Sequence, residues 1–179
     1  MTAAPGVITF AGPKPCARLA AAALLLVALG VSLLLLYSGI EKIADLETFK
    51  RVVVSHGLLS SSVAGLASTA LVIVELLVGG LGLVLILTRG QRAVGLVLLA
   101  GAVVFLVFAG YAAALTIRPP PEPTSCGCGL LASGEANWGV ILTRSVIAAS
   151  LLAAGALFSA TRPVQVATSH SVSAQPALE

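Results

Sequence analysis

VAGLASTALVIVELLVGGLGLVLIL, residues 63–87, is a run of twenty-five residues that holds one charge, Glu75. A bilayer's hydrocarbon core is about 30 Å thick and is spanned by about 20 apolar residues in a helix, so this stretch is long enough to cross it. Working outward, three more runs of the same kind appear at residues 19–40, 93–117 and 138–160, each rich in Leu, Val and Ala and bounded by charges, prolines or small polar residues. Composition agrees. The 179-residue chain has a mean hydropathy of +1.08, is 58% hydrophobic and only 9% charged, whereas a soluble domain carries about a quarter charged residues. The fold class expected is all-α, an integral membrane four-helix bundle with up-and-down connections over residues 19–160.

The flanks read as loose tails, residues 1–18 with three prolines and two glycines in the first fifteen, and residues 161–179 rich in Ser, Ala, Val and Gln. A cleaved leader is not expected. The apolar run after Lys14 and Arg18 exceeds the 7–15 residues of a signal peptide, and no small-x-small site follows it.

The net charge of +3 is small and scattered, which argues against a nucleic-acid partner. Lys and Arg bear on orientation instead. Lys14, Arg18, Arg89, Arg92 and Arg162 fall on one side of the expected bundle; Lys42, Lys50, Arg51 and Arg118 fall on the other. The tight, purely basic connection at Arg89 and Arg92 places both termini in the cytoplasm of a cell membrane and the connection before Trp138 outside. In the first connection, apolar residues 40, 43, 46, 49, 52 and 53 recur at helical spacing between charges, predicting a short amphipathic helix at the membrane surface.

The chemistry concentrates at Cys126-Gly127-Cys128, in the polar connection between the third and fourth spans behind the prolines 119–121 and 123. A thiolate is the reactive species and exchanges through a mixed disulfide. One intervening glycine lets two side chains of an extended segment point the same way and permits the dihedrals that a small ring requires. A strained bridge is more easily reduced, and outside the cytoplasm the pair can be oxidised. Three other readings stand beside the redox pair. The cysteines could be half a metal site, although zinc normally takes four ligands and His56 is the only histidine on that side. They could be a structural staple, although so short a loop gains almost no entropy. They could be two small buried hydrophobes. Cys16 lies on the opposite side and reads as incidental.

Glu75 is the second anomaly. It falls near the middle of its span, where a carboxylate is costly and faces the bundle interior with a partner. Arg144, about 9 Å into the fourth span at 1.5 Å per residue, could reach down to Glu75 or up to the cysteines and lower a thiol pKa. Lys42, at the outer end of the first span, is a further candidate. The pair could simply fix helix packing, or Glu75 could relay protons. The sequence contains no phosphate-binding loop, no serine-nucleophile motif and no histidine pair suited to haem.

The pattern Gly39-x-x-Lys42-x-x-Asp45-x-x-x-Phe49, followed by a second span reading Val74-Glu75-Leu76-Leu77-Val78-Gly79-Gly80, resembles the DoxX superfamily of small four-helix membrane proteins. Cys126-Gly127-Cys128 before a fourth span that carries Trp138 and Arg144 resembles its MauE-like branch, with Gly129 where that branch tends to have phenylalanine. The resemblance covers roughly residues 19–160. It implies maturation of periplasmic or secreted oxidoreductases, a thioredoxin-like or disulfide-rich partner, and a quinone as electron acceptor. Two functions of different class remain: thiol–disulfide exchange by Cys126 and Cys128, supported by Glu75, Arg144 and Lys42, or a non-catalytic anchor or assembly subunit of a redox complex. Transport of a small solute has only the buried carboxylate in its favour.

Overall fold

The computed structural model describes residues 15–120 and 136–161, and these fold into five helices with no strand among them. They are α1 (Pro15–Ala44), α2 (Leu46–Ser55), α3 (Ser61–Arg89), α4 (Gln91–Ile117) and α5 (Trp138–Ala160). All but α2 are long and apolar enough to cross a membrane, and their positions match the four spans expected. The chain is a multi-pass membrane protein. Cys126, Cys128 and the tail residues 1–14 and 162–179 lie outside the described residues.

The starts and stops follow local chemistry. Pro15 opens α1, where its missing N–H is no loss, so Cys16 and Arg18, expected in the N-terminal tail, belong to the helix. At its other end α1 continues through Glu41–Ala44. The amphipathic stretch expected over 40–53 is therefore divided: Ile40 and Ile43 are exposed on α1, while Phe49 and Val53 are buried on α2. Asp45 makes the division, its Oδ1 accepting from the Thr48 N–H at 3.2 Å as the cap of α2. The α3–α4 turn is a single residue, Gly90, at φ 54° and ψ −130°, a conformation that side chains rarely adopt.

Helix directions can be read from the contacts. Ser32 and Leu36 of α1 meet Gly79 of α3, and Gly39 meets Leu76, so residue numbers rise on one helix as they fall on the other. Gly95 against Ser159 and Gly101 against Leu152 set α4 and α5 antiparallel in the same way. Gln91 Nε2 donates to the Ala21 carbonyl at 3.0 Å, and Gly101 meets Val31, so α1 and α4 run parallel. The bundle is up-and-down. α1 pairs with α3 and α4 with α5, and the two pairs join along α3–α4 and α1–α4.

Sorting by size shows what surrounds the bundle. Ala28, Ala64, Ala93, Ala102, Ala109 and Ala112 are buried, while Leu26, Leu66, Leu77, Leu87, Leu106 and Leu157 are exposed. Small residues bring helix axes close where lipid makes burial of leucine unrewarding. One apolar cluster, around Val94, Val97, Leu98 and Leu152, fills the end near the Gly90 turn. A second, formed by Phe49, Val53, Ala64 and Val72, lies under α2. The polar site begins between them.

Candidate functional site

Glu75 is the fifteenth of the twenty-nine residues of α3 and is fully buried. A lone carboxylate there would be severely destabilising, and its partner comes from the last turn of α1. Lys42 Nζ lies 2.5 Å from Glu75 Oε1 and donates to Ser38 Oγ at 2.9 Å; Ser38 Oγ in turn donates to Glu75 Oε1 at 3.4 Å. Ser38 and Lys42 are four residues apart on one helix and so share a face. The second oxygen, Glu75 Oε2, is buried with no hydrogen-bond partner among the described residues.

Because α1 ends two residues after Lys42, a space is left over its last turn, and α2 covers it. Phe49 places its ring 5.4 Å from Lys42 Nζ, and the ring of Phe108 of α4 lies at the same distance. Both distances are within cation–π range. Gly39, Lys42, Asp45 and Phe49 therefore each act at one joint. Gly39 admits α3, its hydrogen face so close to Leu76 that an added Cβ would sit 2.8 Å from that side chain. Lys42 binds Glu75, Asp45 starts α2, and Phe49 closes the ammonium off.

Next to the ion pair, His56 follows the last residue of α2 and is 2% exposed. Its Nδ1 hydrogen-bonds Tyr111 Oη of α4 at 2.6 Å, and its ring meets Trp138 of α5 edge-on with centroids 5.0 Å apart. Three helices are thus tied together at the end of the bundle where α4 stops and α5 begins. Arg118 caps α4, and Asn137 caps α5 by accepting from Val140 N–H at 3.1 Å. The segment that carries Cys126 and Cys128 leaves and re-enters the bundle at this end.

A family model for the methylamine utilisation protein MauE matches residues 18–162, most of the chain. The chain belongs to the MauE family. No curated protein and no solved structure matches it. The family match runs from the first turn of α1 to just past α5, so it takes in both the ion pair and the cysteine segment.

Of the residues singled out from sequence in this MauE-family protein, Glu75 and Lys42 come together. Arg144 does not join them: it is exposed on α5 and makes no ion pair with Glu75. The two cysteines lie outside the described residues. Among those described, no group of His, Cys, Asp and Glu could hold a metal ion. Sequence reasoning passed over Ser38, Tyr111 and Phe108, and considered His56 only as a metal ligand. Scarcity was the available signal, since the chain has two histidines, two tyrosines and one tryptophan, and one of each meets here.

Proposed function

We propose that this MauE-family protein is a membrane component of thiol–disulfide chemistry, with Cys126 and Cys128 as its redox pair on the extracytoplasmic face. The partner is a thioredoxin-like or disulfide-rich secreted protein, and the process is maturation of periplasmic or secreted oxidoreductases. The observation that carries this reading is the placement of Cys126-Gly127-Cys128 in the connection from α4 to α5 of a MauE-family membrane bundle. A partner thiolate attacks one sulfur of the oxidised pair and forms a mixed disulfide; the partner's second thiolate resolves it. The partner leaves oxidised, and Cys126 and Cys128 take up two electrons and two protons. Reoxidation passes those electrons to an acceptor of the quinone class.

Two observations support the orientation and the wider kinship. The orientation draws on five basic residues on the terminal side against four, Lys42, Lys50, Arg51 and Arg118, on the other, and on the tight, purely basic connection at Arg89 and Arg92. The DoxX-like pattern is supported by the shared joint that Gly39, Lys42, Asp45 and Phe49 build. Residues 19–160 form the functional domain, with Arg144 on α5 available to the cysteine segment rather than to Glu75.

A second reading, a non-catalytic anchor or assembly subunit, draws on the ion pair itself, which joins α1 to α3 out of reach of solvent. A Cys128→Ser variant separates the two. Under the thiol reading its Cys126 thiolate attacks the disulfide of the oxidised partner, the reverse of the step above, and with no Cys128 to resolve it the mixed disulfide persists as a reducible adduct on a non-reducing gel. If no adduct forms and a variant lacking both thiols still matures its client, the thiol reading is wrong and the anchor reading stands.

A further inference from the structure

At the end of the bundle where α3 turns into α4 lies an open cavity of about 420 Å³, lined by Leu85, Thr88 and Arg89 of α3 and by Arg92, Ala93 and Leu96 of α4. We propose that it holds the phosphate headgroup of an anionic phospholipid, with the Arg89 and Arg92 guanidiniums on the phosphate and an acyl chain running past Leu85 and Leu96.

Charge selects an anion. Both arginines are exposed, and neither has an ion-pair partner among the described residues. The described carboxylates lie elsewhere, Glu75 in the middle of α3 and Glu41, Asp45 and Glu47 at the opposite, α2 end. The helix ends do not supply the counter-charge either. Arg89 closes α3, whose C-terminal carbonyls attract a cation, but Arg92 is the second residue of α4, whose N-terminus repels one and whose first turn has no acidic residue. Across the single-residue turn at Gly90 the two dipole ends cancel, which leaves two uncompensated guanidiniums. The planar fork of a guanidinium matches phosphate oxygens two at a time. The Thr88 hydroxyl donates to the Val84 carbonyl at 2.8 Å, so the side-chain donors lining the cavity are those of the arginines.

Shape selects a lipid. Leu85 comes four residues before Arg89 and Leu96 four residues after Arg92, so the apolar walls lie about 6 Å further into the membrane than the charges at 1.5 Å per residue. Leu96 is 61% exposed and open to a neighbouring chain. A basic mouth over an apolar floor matches an amphiphile lying along the helices, whereas a small hydrophilic anion gains nothing from the floor. Basic pockets between spanning helices take phospholipid headgroups by this same combination. The proposal goes beyond the thiol reading and does not depend on it, since the site is at the other end of the bundle from the cysteine segment and stands whichever compartment that end faces.

Native mass spectrometry of the full-length protein in mild detergent, titrated separately with phosphatidylglycerol and phosphatidylcholine of the same chains, counts the lipids retained. One phosphatidylglycerol is expected to be held saturably and about tenfold more tightly than phosphatidylcholine, which carries a phosphate but no net charge. Arg89→Gln combined with Arg92→Gln is expected to abolish that preference. Lys50→Gln combined with Arg51→Gln, which removes the same charge from the α2 end, is expected to keep it. Leu96→Trp fills the floor at an exposed position with both arginines in place and is expected to lose most of the saturable retention. Glycerol phosphate, a headgroup without chains, is expected not to displace the lipid. Equal retention of the two lipids, a preference that survives the loss of both arginines or disappears with Lys50 and Arg51, or undiminished retention in Leu96→Trp would each overturn the proposal. Full displacement by glycerol phosphate would overturn it too, by assigning the site to a free phosphate anion.

Discussion

At the scale of single residues, the energetics of the site turn on what happens when one half of the Lys42–Glu75 pair is removed. A buried pair contributes little net stability because desolvation consumes most of the Coulomb attraction; removing one partner costs about 3–5 kcal/mol because the other charge stays buried. Lys42→Met should therefore destabilise the bundle by about that amount, and Lys42→Met with Glu75→Leu should recover most of the loss. Thermal unfolding of the single and double variants in detergent measures both values; a double variant as unstable as the single would mean that the pair carries a packing role of its own. Sequence shows Glu75 as an anomaly because a carboxylate among twenty-four apolar or small neighbours has no other reading. Its partner was not legible. Rise per residue gives depth along a helix but neither rotation about its axis nor offset between helices, so Arg144 came first and Lys42 only as a further candidate. The structure decides for Lys42 because α1 runs past Ile40 and turns Ser38 and Lys42 to the same face.

At the scale of elements, α1 and α3 approach through Gly79. A Cβ added there would sit 2.5 Å from Leu36 N and 2.8 Å from the Ser32 carbonyl oxygen, both backbone atoms that cannot step aside. Gly30 on α1 has nothing within 4 Å of the same construction. Gly79→Ala should thus lower stability despite alanine's better helix propensity, whereas Gly30→Ala should be neutral or should stabilise by up to about 1 kcal/mol. Paired melting curves check the contrast, and equal effects would show that the α1–α3 contact yields easily. A further inter-element tie is His56 to Tyr111, which holds the end of α2 against α4. Tyr111→Phe deletes that hydrogen bond at a cost of about 1 kcal/mol. It should also shift Trp138 emission to the red as α2 loosens and water reaches the indole; unchanged emission would mean that α2 is held in place without that hydrogen bond. The existence of α2 was legible in the spacing of its apolar residues, but its start was not. A helical period continues unbroken across Asp45, and only the Asp-x-x-Thr spacing from Asp45 to Thr48, which is the N-cap hydrogen bond itself, marks the break.

At the scale of the whole molecule, the four spans were legible because lipid demands length and apolarity, and those are properties of composition along a line. The arrangement of small residues inside and leucines outside was not, because it depends on which side of each helix meets another. Orientation depends on the two ends of the bundle, and the chain carries its own internal control for it. Cys16 is exposed at the start of α1, at the end that also holds the Gly90 turn. The segment with Cys126 and Cys128 is anchored at Arg118 and Asn137, at the α2 end. The ends of an up-and-down bundle face opposite compartments, so a membrane-impermeant maleimide applied to intact cells must distinguish them. With both termini cytoplasmic, Cys126 and Cys128 should label in intact cells only after mild reduction, and Cys16 only after lysis. Labelling of Cys16 in intact cells would invert the bundle and place the cysteine pair in the reducing compartment, where a standing disulfide is not sustained. Labelling of Cys126 and Cys128 without reduction would keep the orientation but show that the pair rests as free thiols. The partner would then have to arrive as a disulfide, and electrons would leave the bundle instead of entering it.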